Sequence, residues 1–460
     1  MKRISVTVVG GGVGGYSAAL RAARLGADVT LIEKENLGGV CLNKGCIPSK
    51  VLLHSASIYH EVKRASLFGL STEKLKIDLS AVLVRKKAVV ERLRAGVASL
   101  LRNGNIKVVR GTAAFSDANT MTILETGEVL SADKFILATG SVPVRLSIEG
   151  SDEVGLLTSD DLLSPESLPA SLLIIGGGYI GVELGQFYSR LGVNVTIVEM
   201  QDRIISTEDE EISRALEASL SKEGMSIFTS SAAEKIGKDG ENKNVTISCP
   251  DGKKKILAAQ VAQTVGRKPD YLDLNIDKAC LKAERGRIRV DETMRTNVPH
   301  IYAVGDVTGG IMLAHVAMAE GECAARNAMG HSSVVSYRVV PRCVYTSPEI
   351  ACVGLSERSA IEQTGDVEVS RFPLHASSRA SITEETGGMV KIVASKKHGE
   401  VLGVHIIGPH ATELIAEAAF AMEMEATVEE LANTIHPHPT LSEALREAAM
   451  VLSGGATHLP

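Results

Sequence analysis

Two cysteines lie five residues apart, Cys41 and Cys46, in LGGVCLNKGCIPSKVLL at residues 37–53; His438 precedes Glu443 at the same spacing in HPHPTLSE at 436–443. Thiols do redox and nucleophilic chemistry as thiolates or as a disulfide. An imidazole titrates near neutrality, so it can take and return a proton, and a carboxylate on its other nitrogen fixes the tautomer. A regular helix would set residues i and i+5 on faces about 140° apart, so bridging Cys41 to Cys46 requires a distorted turn. Pro48 offers a reason for one, because it has no N–H to bond the Lys44 carbonyl. A loop so short adds little stability when closed; reactivity is what a bridge here would supply. Plainer readings stand beside these: two buried thiols near a turn, and for His438 a polar residue in a proline-rich turn capping a helix. Zinc is disfavoured, since no second Cys/His pair has suitable spacing, and no metal site is expected.

The elements that must position these groups are written twice. VTVVGGGVGG at 6–15 and LLIIGGGYIG at 172–181 match at an offset of 166, and each leads through a helical stretch to a second apolar run closed by an acid, Glu33 or Glu199. This is the βαβ dinucleotide-binding pattern. Gly10 permits the tight turn, Gly12 lets the backbone approach a pyrophosphate and Gly15 lets the helix pack on the strand; Gly176, Gly178 and Gly181 repeat the set. The N–H groups and dipole at each helix start favour phosphate. Glu33 follows Gly10, and Glu199 follows Gly176, by the same 23 residues, near the spacing at which an acid bonds a ribose 2′-hydroxyl. A carboxylate there repels a 2′-phosphate, so the second site is expected to prefer NAD over NADP. Two such sites on one chain suit a permanently held FAD and an exchanging NAD.

Composition narrows the setting. The 460 residues exceed what one core serves, and the net charge of −6 comes without a basic block. Aromatics are 3% with no Trp, which argues against nucleic-acid stacking and membrane belts. No apolar run approaches a membrane span, no export segment is visible, and seven scattered cysteines do not make a secreted framework. A cytoplasmic protein is expected, with no nucleic-acid partner.

Residues 37–50 resemble the active-site segment of the flavin-dependent pyridine nucleotide disulfide oxidoreductases, most closely of their dihydrolipoamide dehydrogenase branch. FILATGSVP (135–143), VPHIYAVGDVTGG (298–310), PRCVYTSPEIACVGLSE (341–357) and HPHPTLSE extend the resemblance along the chain. It implies an α/β fold with two Rossmann-like dinucleotide-binding domains, for FAD and NAD, plus a C-terminal α/β dimerisation domain. The expected divisions are 1–147 (FAD), 148–271 (NAD), 272–340 (completing the FAD domain) and 341–460 (interface). By resemblance Cys41 and Cys46 form a redox-active disulfide, His438 is the base with Glu443 its partner, and Lys50 lies near the flavin with Glu183 as its carboxylate partner. FAD is expected on Gly10, Gly12, Gly15, Glu33, Lys50, Gly140, Asp306 and Ala314, and NAD on Gly176, Gly178, Gly181, Glu199 and Gly266. The implied reaction oxidises dihydrolipoamide to lipoamide and reduces NAD⁺ to NADH. The implied setting is a homodimer serving lipoyl domains of a 2-oxo acid dehydrogenase or glycine cleavage complex.

Two other readings stay open. An NAD(P)H-dependent reductase of glutathione disulfide or a similar small disulfide would keep the cofactors; Tyr179, a residue common in glutathione reductases at this position, points toward it, and Glu199 points away from NADP. A flavin-binding scaffold without turnover would need none of Cys41, Cys46, His438 and Glu443. Lys44 places a cation between the cysteines, where it would favour thiolate.

Overall fold

The apolar, β-branched run at the start of the chain forms β1 (Ser5–Val9), followed by α1 (Val13–Arg24) and β2 (Asp28–Glu33). A computed structural model describes residues 3–459. The chain makes two units: Met1–Leu52, Asp78–Arg145 and Gly266–Ser336 build the first, and Leu53–Ile77, Leu146–Val265 and Tyr337–Pro460 the second.

The chain continues through α2 (Gly39–Lys44) and α3 (Cys46–Lys63), a helix that begins in the first unit and passes into the second at Leu53. In the first unit again come α4 (Leu79–Asn103), β3 (Lys107–Arg110) and β4 (Lys134–Leu137). A five-stranded parallel sheet runs in the order Ile301–Ala303, β4, β1, β2, β3. Successive side chains on a strand point to opposite faces. Val6, Val8, Leu31 and Ile136 therefore pack with Ala18 and Ala22 of α1, while Val9, Ile32, Phe135 and Leu137 face Phe115, Met121 and Ile123 of a small antiparallel sheet. The helix Ala314–Ala328 crosses α1 so closely that a Cβ on Gly321 would lie 2.3 Å from the Gly14 carbonyl oxygen.

The second unit repeats the plan with β5 (Ser171–Ile175), α5 (Tyr179–Arg190), β6 (Asn194–Val198), α6 (Glu210–Lys222), β7 (Ser226–Phe228) and β8 (Gln260–Gln263). Its parallel sheet runs β7-β6-β5-β8. Ser5 opposes Asp28 in the first sheet and Ser171 opposes Asn194 in the second, so the 166-residue offset survives as strand register.

The chain then builds an antiparallel sheet from β9 (Arg342–Val344), β10 (Glu349–Gly354), β11 (Val367–Pro373), β12 (Met389–Ser395) and β13 (Val401–Gly408), in the order β9-β10-β13-β12-β11. The helices α7 (Ala411–Glu423), α8 (Val428–Asn433) and α9 (Glu443–Leu452) supply Ile415, Ala418, Leu431, Leu445 and Ala448 to a core with Ile392, Val404 and Ile406. The fold is the expected α/β arrangement of two Rossmann-type sheets and a C-terminal α/β domain. Among the described residues no helix is long and apolar enough to cross a membrane.

Candidate active site

The two glycine turns agree down to side-chain bonds. Gly10 N–H bonds the Ile32 carbonyl and Gly176 N–H the Val198 carbonyl, both at 2.8 Å. Gly10 has φ +101°, a conformation that favours glycine, and a Cβ on Gly15 would lie 1.9 Å from the Gly10 oxygen. Glu33 accepts the N–H groups of Gly11 and Glu35, each at 2.6 Å; Glu199 accepts those of Gly177 (2.6 Å) and Gln201 (2.7 Å). Each acid thus closes its own turn as well as standing at the strand end, a role that its spacing did not reveal.

The helices behind these turns fit dinucleotides. α1 and α5 have glycine N-caps, Gly12 and Gly178, with no side-chain cap bond and no acid in the first turn. By contrast, Asp78 caps α4 and Asp209 caps α6. An uncapped helix start with open space above Gly178 is suited to a diphosphate. Beside Glu33 lies a cleft of about 370 Å³ bordered by Glu35, Asn36, Arg94, Ala98 and Val108.

Cys41 and Cys46 are paired as a disulfide with a Cα–Cα distance of 4.6 Å. The break in helical geometry that brings them together falls at Gly45, between α2 and α3. Pro48 sits in the first turn of α3, where a missing N–H costs nothing. A Cβ on Gly45 would lie 3.1 Å from the Val40 oxygen and 3.4 Å from the Cys41 Cα, so glycine lets the two sulfur-bearing segments close up. The pair is also clamped to the first glycine turn. Gly38 N–H bonds the Gly11 carbonyl (2.8 Å), and Gly39, at φ +59°, packs so near that a Cβ would lie 2.6 Å from the Gly12 Cα. Asn43 donates to the Gly39 carbonyl (2.8 Å) and accepts from Arg94 (2.7 Å), bracing α2 against α4. Gly38, Gly39, Gly45, Asn43 and Arg94 escaped the sequence reading; glycines immediately before each cysteine segment were the available signal. The Lys44 ammonium pairs with Glu35 at 2.6 Å, and so its charge is directed to that carboxylate.

His438 lies on the loop 434–442 between α8 and α9, with its side chain 63% exposed. Its Nδ1 is 2.9 Å from Glu443 Oε1, and Glu443 Oε2 accepts the Thr440 N–H at 2.8 Å. Burial pushes the Glu443 carboxyl up, but the Thr440 bond and the His438 contact outweigh it and hold the group below its ordinary range. The acid therefore stays ionised beside the imidazole.

The remaining residues are placed as follows. Cys41, Cys46 and Lys50 belong to the first unit, and Glu183, His438 and Glu443 to the second. Lys50 is half-buried on α3. Glu183 is buried on α5 and accepts the Tyr345 N–H at 2.9 Å. Asp306 accepts from the Ser141 hydroxyl at 2.5 Å, and Arg267 Nε donates to that same hydroxyl at 2.8 Å. Gly140 and Gly266 have positive φ, and their carbonyls accept from Asp270 and Val144. Ala314 opens the helix that crosses α1. Tyr179 donates to Glu208, a carboxylate with 1% of its side chain exposed that pairs with Arg342 at 3.0 Å; burial first, then this carboxylate, pushes the phenol up.

Residues 4–321 match the pyridine nucleotide-disulphide oxidoreductase model and residues 340–449 that family's dimerisation domain. The chain belongs to this family. A dihydrolipoyl dehydrogenase of Bacillus subtilis is 42% identical over 99% of this chain and 100% of its own length, and one of Thermus scotoductus is 42% identical over 100% and 99%. LpdA from Mycobacterium tuberculosis has the same fold, with a TM-score of 0.89 at 31% identity over 98% of this chain and 99% of its own. The protein is an oxidoreductase and a flavoprotein of the dihydrolipoyl dehydrogenase type, with FAD and NAD as cofactors.

Proposed function

We propose that the protein oxidises dihydrolipoamide to lipoamide and delivers the two electrons to NAD⁺. The observation that carries this is the Cys41–Cys46 disulfide held by backbone contacts against the first glycine turn. His438 takes the proton from one substrate thiol, and the resulting thiolate attacks Cys41. The Cys41–Cys46 bond breaks as a mixed disulfide forms, and Cys46 departs as a thiolate. The second substrate thiol loses its proton to solvent and displaces Cys41, which leaves as a thiolate and takes back the proton held by His438; the lipoamide disulfide closes and the cysteine pair is reduced by two electrons. FAD supplies, when bound, the two-electron acceptor for this dithiol, held by Gly10, Gly12, Gly15, Glu33, Lys50, Gly140, Asp306 and Ala314. NAD is assigned to Gly176, Gly178, Gly181, Glu199 and Gly266, and the Glu199 carboxylate disfavours a 2′-phosphate. Glu443 holds His438 in the Nδ1–H tautomer, so that Nε2 is the basic atom. Glu183 is assigned to Lys50 as its charge partner.

The dimerisation domain supports a homodimer, and in our reading each active site combines Cys41 and Cys46 of one protomer with His438 of the partner subunit. The working setting is then the cytoplasm, with lipoyl domains of a 2-oxo acid dehydrogenase or glycine cleavage complex as the substrate carriers. FAD is assigned to 1–147 and 272–340, NAD to 148–271, and subunit contact to 341–460.

The test is steady-state turnover of the purified protein with NAD⁺ and dihydrolipoamide, run beside NADPH and glutathione disulfide. Turnover with the first couple is expected; turnover with the second alone overturns the substrate assignment. Cys46→Ser is expected to retain bound flavin and lose dihydrolipoamide oxidation.

A further inference from the structure

We propose that His436 and Glu417 form a charged anchor that positions His438 and sets the pH at which it works. The inference rests on the role given above to His438. The His436 side chain is only 5% exposed, and both its ring nitrogens face oxygens: Nδ1 is 3.0 Å from the Thr434 carbonyl and Nε2 is 2.7 Å from Glu417 Oε1. Neither oxygen has a proton to give, so both bonds exist together only when both nitrogens carry hydrogen. The geometry therefore points to an imidazolium opposite a carboxylate, with no lone pair left for base chemistry. His438, two residues on, has one nitrogen tied to Glu443 and most of its ring exposed.

The loop is thus fixed on both sides of the base. Glu417 on α7 holds it at His436, and Glu443 on α9 holds it at Thr440, whose hydroxyl also donates to the Pro437 carbonyl at 2.8 Å. His438 hangs between the two attachments. Other charged groups around the loop are Arg446, which donates to the Ala432 carbonyl from α9, and Glu447, which pairs with His458 of the tail at 3.0 Å. A His436–Glu417 pair with both partners charged brings no net charge to the loop that carries His438. Without its cation the pair would leave Glu417 as an uncompensated carboxylate at the attachment two residues before the base, and a nearby negative charge favours the base's protonated form.

The experiment measures kcat/KM against pH for dihydrolipoamide and NAD⁺ in the wild type, His436→Gln, Glu417→Gln and the double variant. In His436→Gln the acid limb is expected to move up by about half a pH unit or more, with kcat down roughly tenfold. The double variant, neutral again, is expected to bring the limb back. A purely structural contact would leave the limb in place and make the double variant worse than either single one; that result overturns the proposal. Ferricyanide reduction by NADH needs no dithiol base and should stay at the wild-type rate throughout, which reports folding. Should His436→Gln lose that rate, ¹⁵N-histidine NMR of the wild type decides instead. One doubly protonated ring at neutral pH that disappears in Glu417→Gln supports the anchor, and its absence from the wild type overturns it. A wild type that turns over no dihydrolipoamide refutes the proposed function; turnover with an unmoved limb refutes only the anchor.

Discussion

Glu443→Gln changes one atom type and almost no volume, yet the structure gives it a large expected effect. Oε1 faces His438 Nδ1 at 2.9 Å, and Oε2 accepts the Thr440 N–H at 2.8 Å. A glutamine offers one oxygen and one NH₂, so one of these two donors must meet another donor. If the NH₂ faces Nδ1, the imidazole has to accept there and carry its proton on Nε2, which removes the lone pair that takes the substrate proton. If it faces Thr440, a part-buried backbone N–H is left opposite a donor at a cost of about 1–3 kcal/mol, and the loop carrying His438 shifts. A positioned general base contributes about 10²–10⁴ in rate, or roughly 2.7–5.4 kcal/mol. The kcat for dihydrolipoamide oxidation should fall by about that factor, while NADH-driven ferricyanide reduction stays close to wild type. A variant within tenfold of wild type at every pH would refute the assignment of Glu443 as the group that sets the tautomer.

Gly39→Ala should release much of the FAD on gel filtration, read from the visible absorbance of the protein peak, because its Cβ would lie 2.6 Å from the Gly12 Cα. Gly26→Ala carries backbone strain at φ +92° but meets nothing within 4 Å, so it should keep its flavin; equal retention by both would sink the clamp. Lys391, with 2% of its side chain exposed, pairs with Asp209 at 2.9 Å and with Glu211 and Glu357 at 2.8 Å. Lys391→Met leaves those carboxylates without their buried cation, and should cost about 3–5 kcal/mol in denaturant unfolding. Burial pushes Asp209 and Glu211 up, but bonds from Lys391 to Asp209, and from Arg371 and then Lys391 to Glu211, hold both below the usual carboxylate range. Their contribution is present above the unfolded values of about 3.9 and 4.3 and fades as pH falls through the lower folded values. The acid-side loss of stability should therefore be shallower in Lys391→Met than in the wild type, and an identical slope would contradict the assignment.

The repeat shows what a sequence can disclose. VTVVGGG and LLIIGGG are local signals, and because strand, turn and helix follow from a few neighbouring residues, their equivalence persists to matching bonds at Glu33 and Glu199. The same holds for His438 and Glu443, close enough in sequence that one loop and one helix start bring them together. The cysteines were legible as a pair, but the position of the bend was not. Pro48 offered an explanation for distortion, while the close approach of two backbone segments assigned the break to Gly45.

Nothing local marks Lys391 or His405 as buried. They become so because β12 and β13 are central strands covered on both faces, and a lysine or histidine there must find its partners across the sheet. Glu208 and Arg342 are likewise ordinary residues until the fold sets them side by side next to Tyr179. The sequence alone determined the chemical groups, the duplicated nucleotide turns and the spacing of each acid from its glycines. Only the tertiary structure decided which distant charges meet, since such contacts depend on how separate elements pack and not on the residues adjacent along the chain.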